Sequence, residues 1–164
     1  MELIRNIRKG EFGMVGEVYF GLFTRYIELC FDEDIPREYV EKCVSNLNSL
    51  SENTILSICE YSLNFCKDYM ENFPEVEYLD GLSEISNPKE ILKYIQPVSL
   101  TVDEPKNINT PAINLYCKCS WDMDNDMQIL INNNVVVYVG TFDGLDPWQT
   151  NLSEWGNYVT GYKI

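Results

Sequence analysis

Ile113-Asn-Leu-Tyr-Cys-Lys-Cys-Ser-Trp121, Asp122-Met-Asp-Asn-Asp126, Met127-Gln-Ile-Leu-Ile131, Asn132-Asn-Asn134 and Val135-Val-Val-Tyr-Val139 follow one another without a break, and their pattern decides the fold. Ile113, Leu115, Cys117, Cys119 and Trp121 alternate with Asn114, Tyr116, Lys118 and Ser120, which is the period of a strand with one apolar and one mixed face. Met127, Ile129 and Ile131 repeat it. The Asn run separates two β-branched segments with residues that tolerate positive φ, as a tight hairpin turn requires. The stretch predicts three antiparallel strands joined by an acidic turn at Asp122–Asp126 and an Asn turn at Asn132–Asn134. Val135–Val139 is apolar on both sides and is expected to be a central strand.

Upstream, Val15-Gly-Glu-Val-Tyr-Phe20 and Thr24-Arg-Tyr-Ile-Glu-Leu-Cys-Phe31 predict a hairpin. Ile27, Leu29 and Phe31 alternate there with Tyr26, Glu28 and Cys30. Residues 1–10, with Arg5, Arg8 and Lys9, read as a short edge strand or a lead-in with solvated charges. Between hairpin and meander the period changes. Val40, Cys43, Val44, Leu47 and Leu50 have helical spacing, with Asp34 as cap and Pro36 in the first turn. Ser49-Leu-Ser-Glu52 matches a capping box, and a second helix is expected from about Leu50 to Asn72, stopped by Pro74. Asn87-Pro-Lys-Glu90 opens a third, short helix before the strand Val98–Val102. Trp155, Tyr158, Tyr162 and Ile164 mark the tail, where Tyr158–Thr160 is a further candidate strand. The expectation is one α+β domain over residues 1–164. It has an N-terminal β-hairpin, two to three central helices, and a C-terminal antiparallel β-meander, with the helices packed on one sheet face.

Composition narrows the chemistry. The chain has 26 acidic and 12 basic residues, a formal net charge of −14, and is 45% hydrophobic and 13% aromatic. Its aromatic content supports a packed core, and its charge repels nucleic-acid phosphate and anionic membrane while attracting cations and basic proteins. Histidine is absent, which excludes Ser–His–Asp and Cys–His catalysis. Cys30, Cys43, Cys59, Cys66, Cys117 and Cys119 all fall within predicted strands or helices, the placement of reduced core cysteines rather than of a disulfide framework. No apolar run reaches membrane-spanning length, and the N-terminus lacks the apolar core of a signal peptide. A cytoplasmic protein is expected.

Asp122, Asp124 and Asp126 form D-x-D-x-D, but the positions where a calcium loop needs Gly and Glu hold Met127 and Asn133. No metal site and no cofactor are expected. Asp143 and Asp146 form a second acidic turn beside Trp148. If the two turns meet, they make one negative patch rimmed by an aromatic, a landing site for Lys or Arg. If they do not, they are separate solvated turns and Trp148 is a core residue.

Three motifs carry a family resemblance: Glu11–Phe20 as an opening hairpin, Asn87–Val98 as a short helix leading into a strand, and Cys119-Ser-Trp-Asp122 with Asn132–Val136 and Val139-Gly140. Together they resemble a group of small acidic bacterial domains, mostly uncharacterised, whose members often sit among immunity partners of secreted polymorphic toxins. The likeness runs to about Phe142. Asn125-Asp-Met127 departs from it where a Gly is expected, and the tail after Leu145 is extra. No catalytic residue carries over.

The resemblance and the charge together imply a non-catalytic immunity-type protein that neutralises a toxin by occluding a basic surface. Asp32, Glu33, Asp34, Asp122, Asp124, Asp126, Asp143, Asp146 and Trp148 are the candidate contacts. The expected partner is a basic protein, with neither nucleic acid nor membrane involved. Two other readings stay open: a metal-dependent carboxylate enzyme or metal-binding domain, and an inhibitor that mimics nucleic acid.

Overall fold

The structure, a computed structural model, describes residues 1–153 and 156–161. Seven strands form one sheet in sequence order: β1 (Ile4–Lys9), β2 (Met14–Phe20), β3 (Arg25–Phe31), β4 (Ile95–Val102), β5 (Ala112–Cys119), β6 (Asp122–Asn132) and β7 (Val135–Thr141). Neighbours are antiparallel except β3 and β4, which run parallel. That junction needs a long crossover. It is supplied by α1 (Arg37–Leu47), α2 (Glu52–Asn72) and short 3-10 segments at Leu82–Glu84 and Pro88–Tyr94. The α+β layout read from the sequence is the observed one.

The register explains the two faces. Leu29, Leu100 and Leu115 lie opposite one another across β3, β4 and β5, and all three are buried. With Val18, Ile113, Ile129 and Trp121 they meet Tyr39, Val40, Cys43 and Leu47 of α1 and Ile58, Cys59, Phe65 and Cys66 of α2 in one core. Phe65 anchors it, edge-on to Trp121 at 5.6 Å and stacked on Tyr158 at 4.9 Å. Aromatic pairs of this kind contribute about 1 kcal/mol beyond the area they bury. Five cysteines are buried and Cys30 is half-buried; all six are free thiols.

Several local expectations are corrected. Asp34 does not cap α1; the helix starts after Pro36 with no side-chain cap, and the Asp32 carbonyl accepts from the Ile35 N–H at 3.0 Å in the preceding turn. Ser49 belongs to the end of α1, donating to the Ser45 carbonyl at 2.8 Å, while Ser51 caps α2 by accepting from the Thr54 N–H at 3.1 Å. Pro97 does not precede the strand but lies inside β4, at a register shift where its missing N–H is tolerated. The acidic stretch Asp122–Asp126 is the start of β6 rather than a turn. The chain reverses at Ser120-Trp121, and Asp126, at φ 59°, marks an irregularity in the ladder. Asn133 and Asn134 have φ of 51° and 67°, the hairpin turn that the Asn run predicts.

β7 is the last strand of the sheet, not a central one. Its outer edge is covered by the segment that follows. The Tyr158 N–H donates to the Val139 carbonyl at 2.9 Å, and the Asn157 side-chain amide donates to the Val137 carbonyl at 2.9 Å. Residues 158–160 form turns, not a strand. Covering an edge with a loop protects apolar residues as a neighbouring strand would, so Val135–Val139 reads as central from its composition alone. Trp155, Tyr162 and Ile164 lie outside the described residues. Among the described residues no helix is long and apolar enough to cross a membrane.

Candidate functional site

The helices cover one face of the sheet, so the side chains between the core residues of β2 to β6 line the other. One row crosses all seven strands, with Arg5, Glu17, Glu28, Ser99, Tyr116, Gln128 and Gly140 directly opposite in turn. A second row holds Val15, Cys30, Thr101, Asn114, Leu130 and Tyr138. An antiparallel sheet readily leaves one face to solvent, and here that face is polar.

Its two ends differ in charge. Towards β1, Arg5 pairs with Glu17 at 2.8 Å and lies 3.5 Å from the centre of the Tyr26 ring. Hydrogen bonds from Asn6 and Arg5 hold the Glu17 carboxyl below its ordinary range. Further along the face, carboxylates of the next two recesses take hydrogen bonds from neutral donors, and none makes an ion pair among the described residues. Glu11, Glu28, Asp32, Asp103 and Glu104 line a recess of about 460 Å³ between the β1–β2 turn and the end of β4. Asp103, Asp126 and Asp146 line a second, of about 500 Å³, floored by Ser99, Thr101, Asn114, Tyr116 and Gln128. The recesses share Thr101 and Asp103, and neither has a Lys or Arg among its lining residues. They form one trough with seven carboxylates along it.

The chain after β7 builds the trough's far wall. Gln128, only 1% exposed, organises it. Its Nε2 donates to Asn114 Oδ1 and to the Leu145 carbonyl, both at 2.9 Å, while its Oε1 accepts from the Leu145 N–H at 3.1 Å. Asn132 adds a bond to the Pro147 carbonyl at 3.0 Å. The wall turns at Asp146, whose Oδ1 accepts from the Trp148 N–H at 2.7 Å. Phe142 packs edge-on against Tyr116 at 4.9 Å, and the Tyr116 hydroxyl donates to Asp126.

Asp103 sits where the two recesses join. Burial pushes its carboxyl up to about 6, and the nearby Asp146 and Asp32 carboxylates push the same way, while a hydrogen bond from Asn114 at 3.0 Å opposes them. A carboxylate strained by its like-charged neighbours is relieved by an incoming cation.

The residues predicted from sequence divide clearly. Asp32, Asp126 and Asp146 line the trough. Glu33 stands outside it in an ion pair with Lys9 at 3.4 Å, and Asp34 is exposed nearby but lines neither recess. Asp122 is corrected outright: it is buried, and its Oδ1 accepts from the Asn125 N–H at 3.2 Å, so it organises the start of β6 and offers no contact surface. Asp124 is exposed but lines neither recess. Asp143 is exposed, its N–H directed at Gln128 Oε1 at 3.4 Å. Trp148 is half-buried and does not rim the patch; Phe142 and Tyr116 are the aromatics there. The two acidic stretches do meet, through Asp126 and Asp146.

Asp103, Glu104, Glu28 and Glu11 were not among the expected contacts. Thr101 and Asp103 fall two apart at the end of β4, and Glu28 alternates with the core residues of β3, so strand parity puts all three on the polar side. Their meeting depends on the parallel β3–β4 register, which no local pattern announces. Among the described residues, no three Cys, Asp or Glu side chains are grouped to hold a metal ion.

These features define an α+β protein with one sheet face under helices and the other left as an acidic trough. The chain belongs to the family described as Domain of unknown function (DUF6985), whose profile matches residues 3–147. That span takes in the whole sheet and the wall as far as Pro147. No curated protein and no solved structure matches the chain.

Proposed function

We propose that this is a non-catalytic binding protein whose acidic trough receives a basic surface of a protein partner, in the manner of an immunity protein occluding a toxin. One observation carries the reading: seven carboxylates line the joined recesses without a single cation among the lining residues. Asp103, Asp126 and Asp146 are half-buried and accept only from neutral donors, so an arriving Lys or Arg supplies the opposite charge that they lack. Phe12, 90% exposed beside the first recess, and Phe142 beside the second supply apolar contacts at the two ends. Complementary charge would speed encounter and reject acidic competitors. A cytoplasmic location belongs to the same proposal, since an immunity protein meets its toxin inside the cell.

The test is co-expression with a neighbouring gene encoding a basic toxin-like domain, followed by co-purification. The native chain should retain that domain and protect the host from it. A chain carrying Asp32→Asn, Asp103→Asn and Asp146→Asn should do neither. Retention unchanged by these substitutions would overturn the assignment of the trough.

A further inference from the structure

Where β5 turns into β6, the sheet carries a second unusual surface, which meets the trough at Asp126. A groove of about 370 Å³ is lined by Leu79, Tyr94, Met123, Lys93 and Lys118 among others. Met123 is 81% and Leu79 60% exposed, a large apolar area for a surface so rich in charge. Neither lysine makes an ion pair among the described residues. The one carboxylate in the lining, Asp126, already accepts from Tyr116.

The complement of this groove lies next to it on the same chain. Residues 73–79, Phe-Pro-Glu-Val-Glu-Tyr-Leu, follow α2 and expose Phe73, Val76 and Leu79 together with Glu75 and Glu77. The segment is held in shape before any contact: the Tyr78 hydroxyl donates to the Phe73 carbonyl at 2.6 Å, and the Phe73 ring lies 4.6 Å from Tyr69. Neither glutamate makes an ion pair among the described residues. An apolar segment bearing two carboxylates therefore adjoins an apolar groove bearing two ammonium groups, and Leu79 belongs to both. The segment cannot fold back into the groove it borders, because Leu79 is itself part of that wall. A surface holding both halves of a complementary pair side by side is what a two-fold interface requires, since each copy then offers its segment to the other's groove.

We propose that two copies of this chain pair through this face. Segment 73–79 of each lies in the groove of the other, with Glu75 and Glu77 against Lys93 and Lys118, and the apolar side chains close around Met123. The groove adjoins the trough at Asp126, which lines both, and shares none of the trough's other lining residues.

Sedimentation of the full chain at moderate salt tests this, since the long-range repulsion between acidic copies is then screened beyond about 10 Å. The native chain should show a concentration-dependent monomer–dimer equilibrium. The double variant Lys93→Glu/Lys118→Glu has acid facing acid at both contacts, and Glu75→Lys/Glu77→Lys has base facing base. Each should weaken dimerisation about tenfold or more. Mixed together, the two variants should form a heterodimer, because each segment then meets a groove of opposite charge. This rescue separates an interface effect from a folding defect. A native chain that stays monomeric throughout, variants that dimerise as well as the native chain, or a mixture that stays monomeric would each overturn the proposal.

Discussion

The Asn114 side-chain amide donates to Asp103 at 3.0 Å, yet burial pushes the Asp103 carboxyl up to about 6, above the usual carboxylate range. Partial burial outweighs the one favourable bond, and Asp146 and Asp32 add to the cost of ionising it. A carboxyl raised above its unfolded value binds more protons in the folded chain, so stability falls as pH rises from about 4 to about 6. Asp103→Asn removes this loss and keeps a side chain that can meet Asn114. It should raise stability at pH 7–8 by on the order of 1–2 kcal/mol and flatten the pH profile between 4 and 6. Urea unfolding at a series of pH values measures both.

The same carboxyl makes binding pH-dependent. A cationic partner stabilises the ionised form, so capture of a basic protein should strengthen as pH rises from 5 to 7 and release its protons on binding. In the Asp103→Asn chain, this dependence should shrink.

Gln128 holds the trough wall with both ends of its side chain. Gln128→Leu fills similar space but removes the Leu145 N–H bond to Gln128 Oε1 and leaves the Leu145 carbonyl only the longer bond from Asn114 at 3.3 Å. It should cost about 2–4 kcal/mol in denaturant unfolding and weaken capture of a basic partner, because the wall that carries Asp146 is no longer fixed.

How much of this was legible in the sequence follows from how far apart the cooperating residues lie. The alternation of Ile27, Leu29 and Phe31 with Tyr26, Glu28 and Cys30 fixes both faces of β3, because parity is a local property. The helical spacing of Val40, Cys43, Val44 and Leu47 does the same for α1. The Asp122–Asp126 stretch misleads because acidic residues suit turns, whereas here Asp122 is satisfied internally by Asn125 and the strand begins early. Val135–Val139 misleads because the cover on its edge comes from Asn157 and Tyr158, about 20 residues on in sequence. Asp103 could not be found locally: it joins Asp32 and Asp146 across about 70 and 40 residues of chain, through a parallel pairing that sequence periodicity does not encode.

The tail's hold on the sheet can be measured at Gly140. A methyl group there would lie inside the contact radius of the Gly156 carbonyl oxygen and against the Tyr138 ring. Gly140→Ala should destabilise the chain by about 2 kcal/mol or more. Hydrogen exchange at the amides of Val139 and Tyr158 should accelerate more than in β4 or β5, because the covering segment is pushed off its edge.

Tyr158 also reaches across the core, its hydroxyl donating to Asp68 at 2.5 Å inside the helix layer. Asp68 is buried, with Asn72 as a second, longer contact at 3.3 Å. Tyr158→Phe keeps the stacking on Phe65 and removes only the hydroxyl. It should cost about 1–3 kcal/mol, read by thermal or urea unfolding.

The trough's role is tested most directly by comparing two triple variants with the same change in net charge. Asp32→Asn/Asp103→Asn/Asp146→Asn neutralises the trough, and Glu38→Gln/Glu60→Gln/Glu90→Gln neutralises three exposed carboxylates of the helix layer. Affinity capture from the native host, quantified by mass spectrometry, should show a basic protein retained by the native chain and by the helix-layer variant but lost from the trough variant. Equal loss from both variants, or equal retention by both, would contradict a localised binding face.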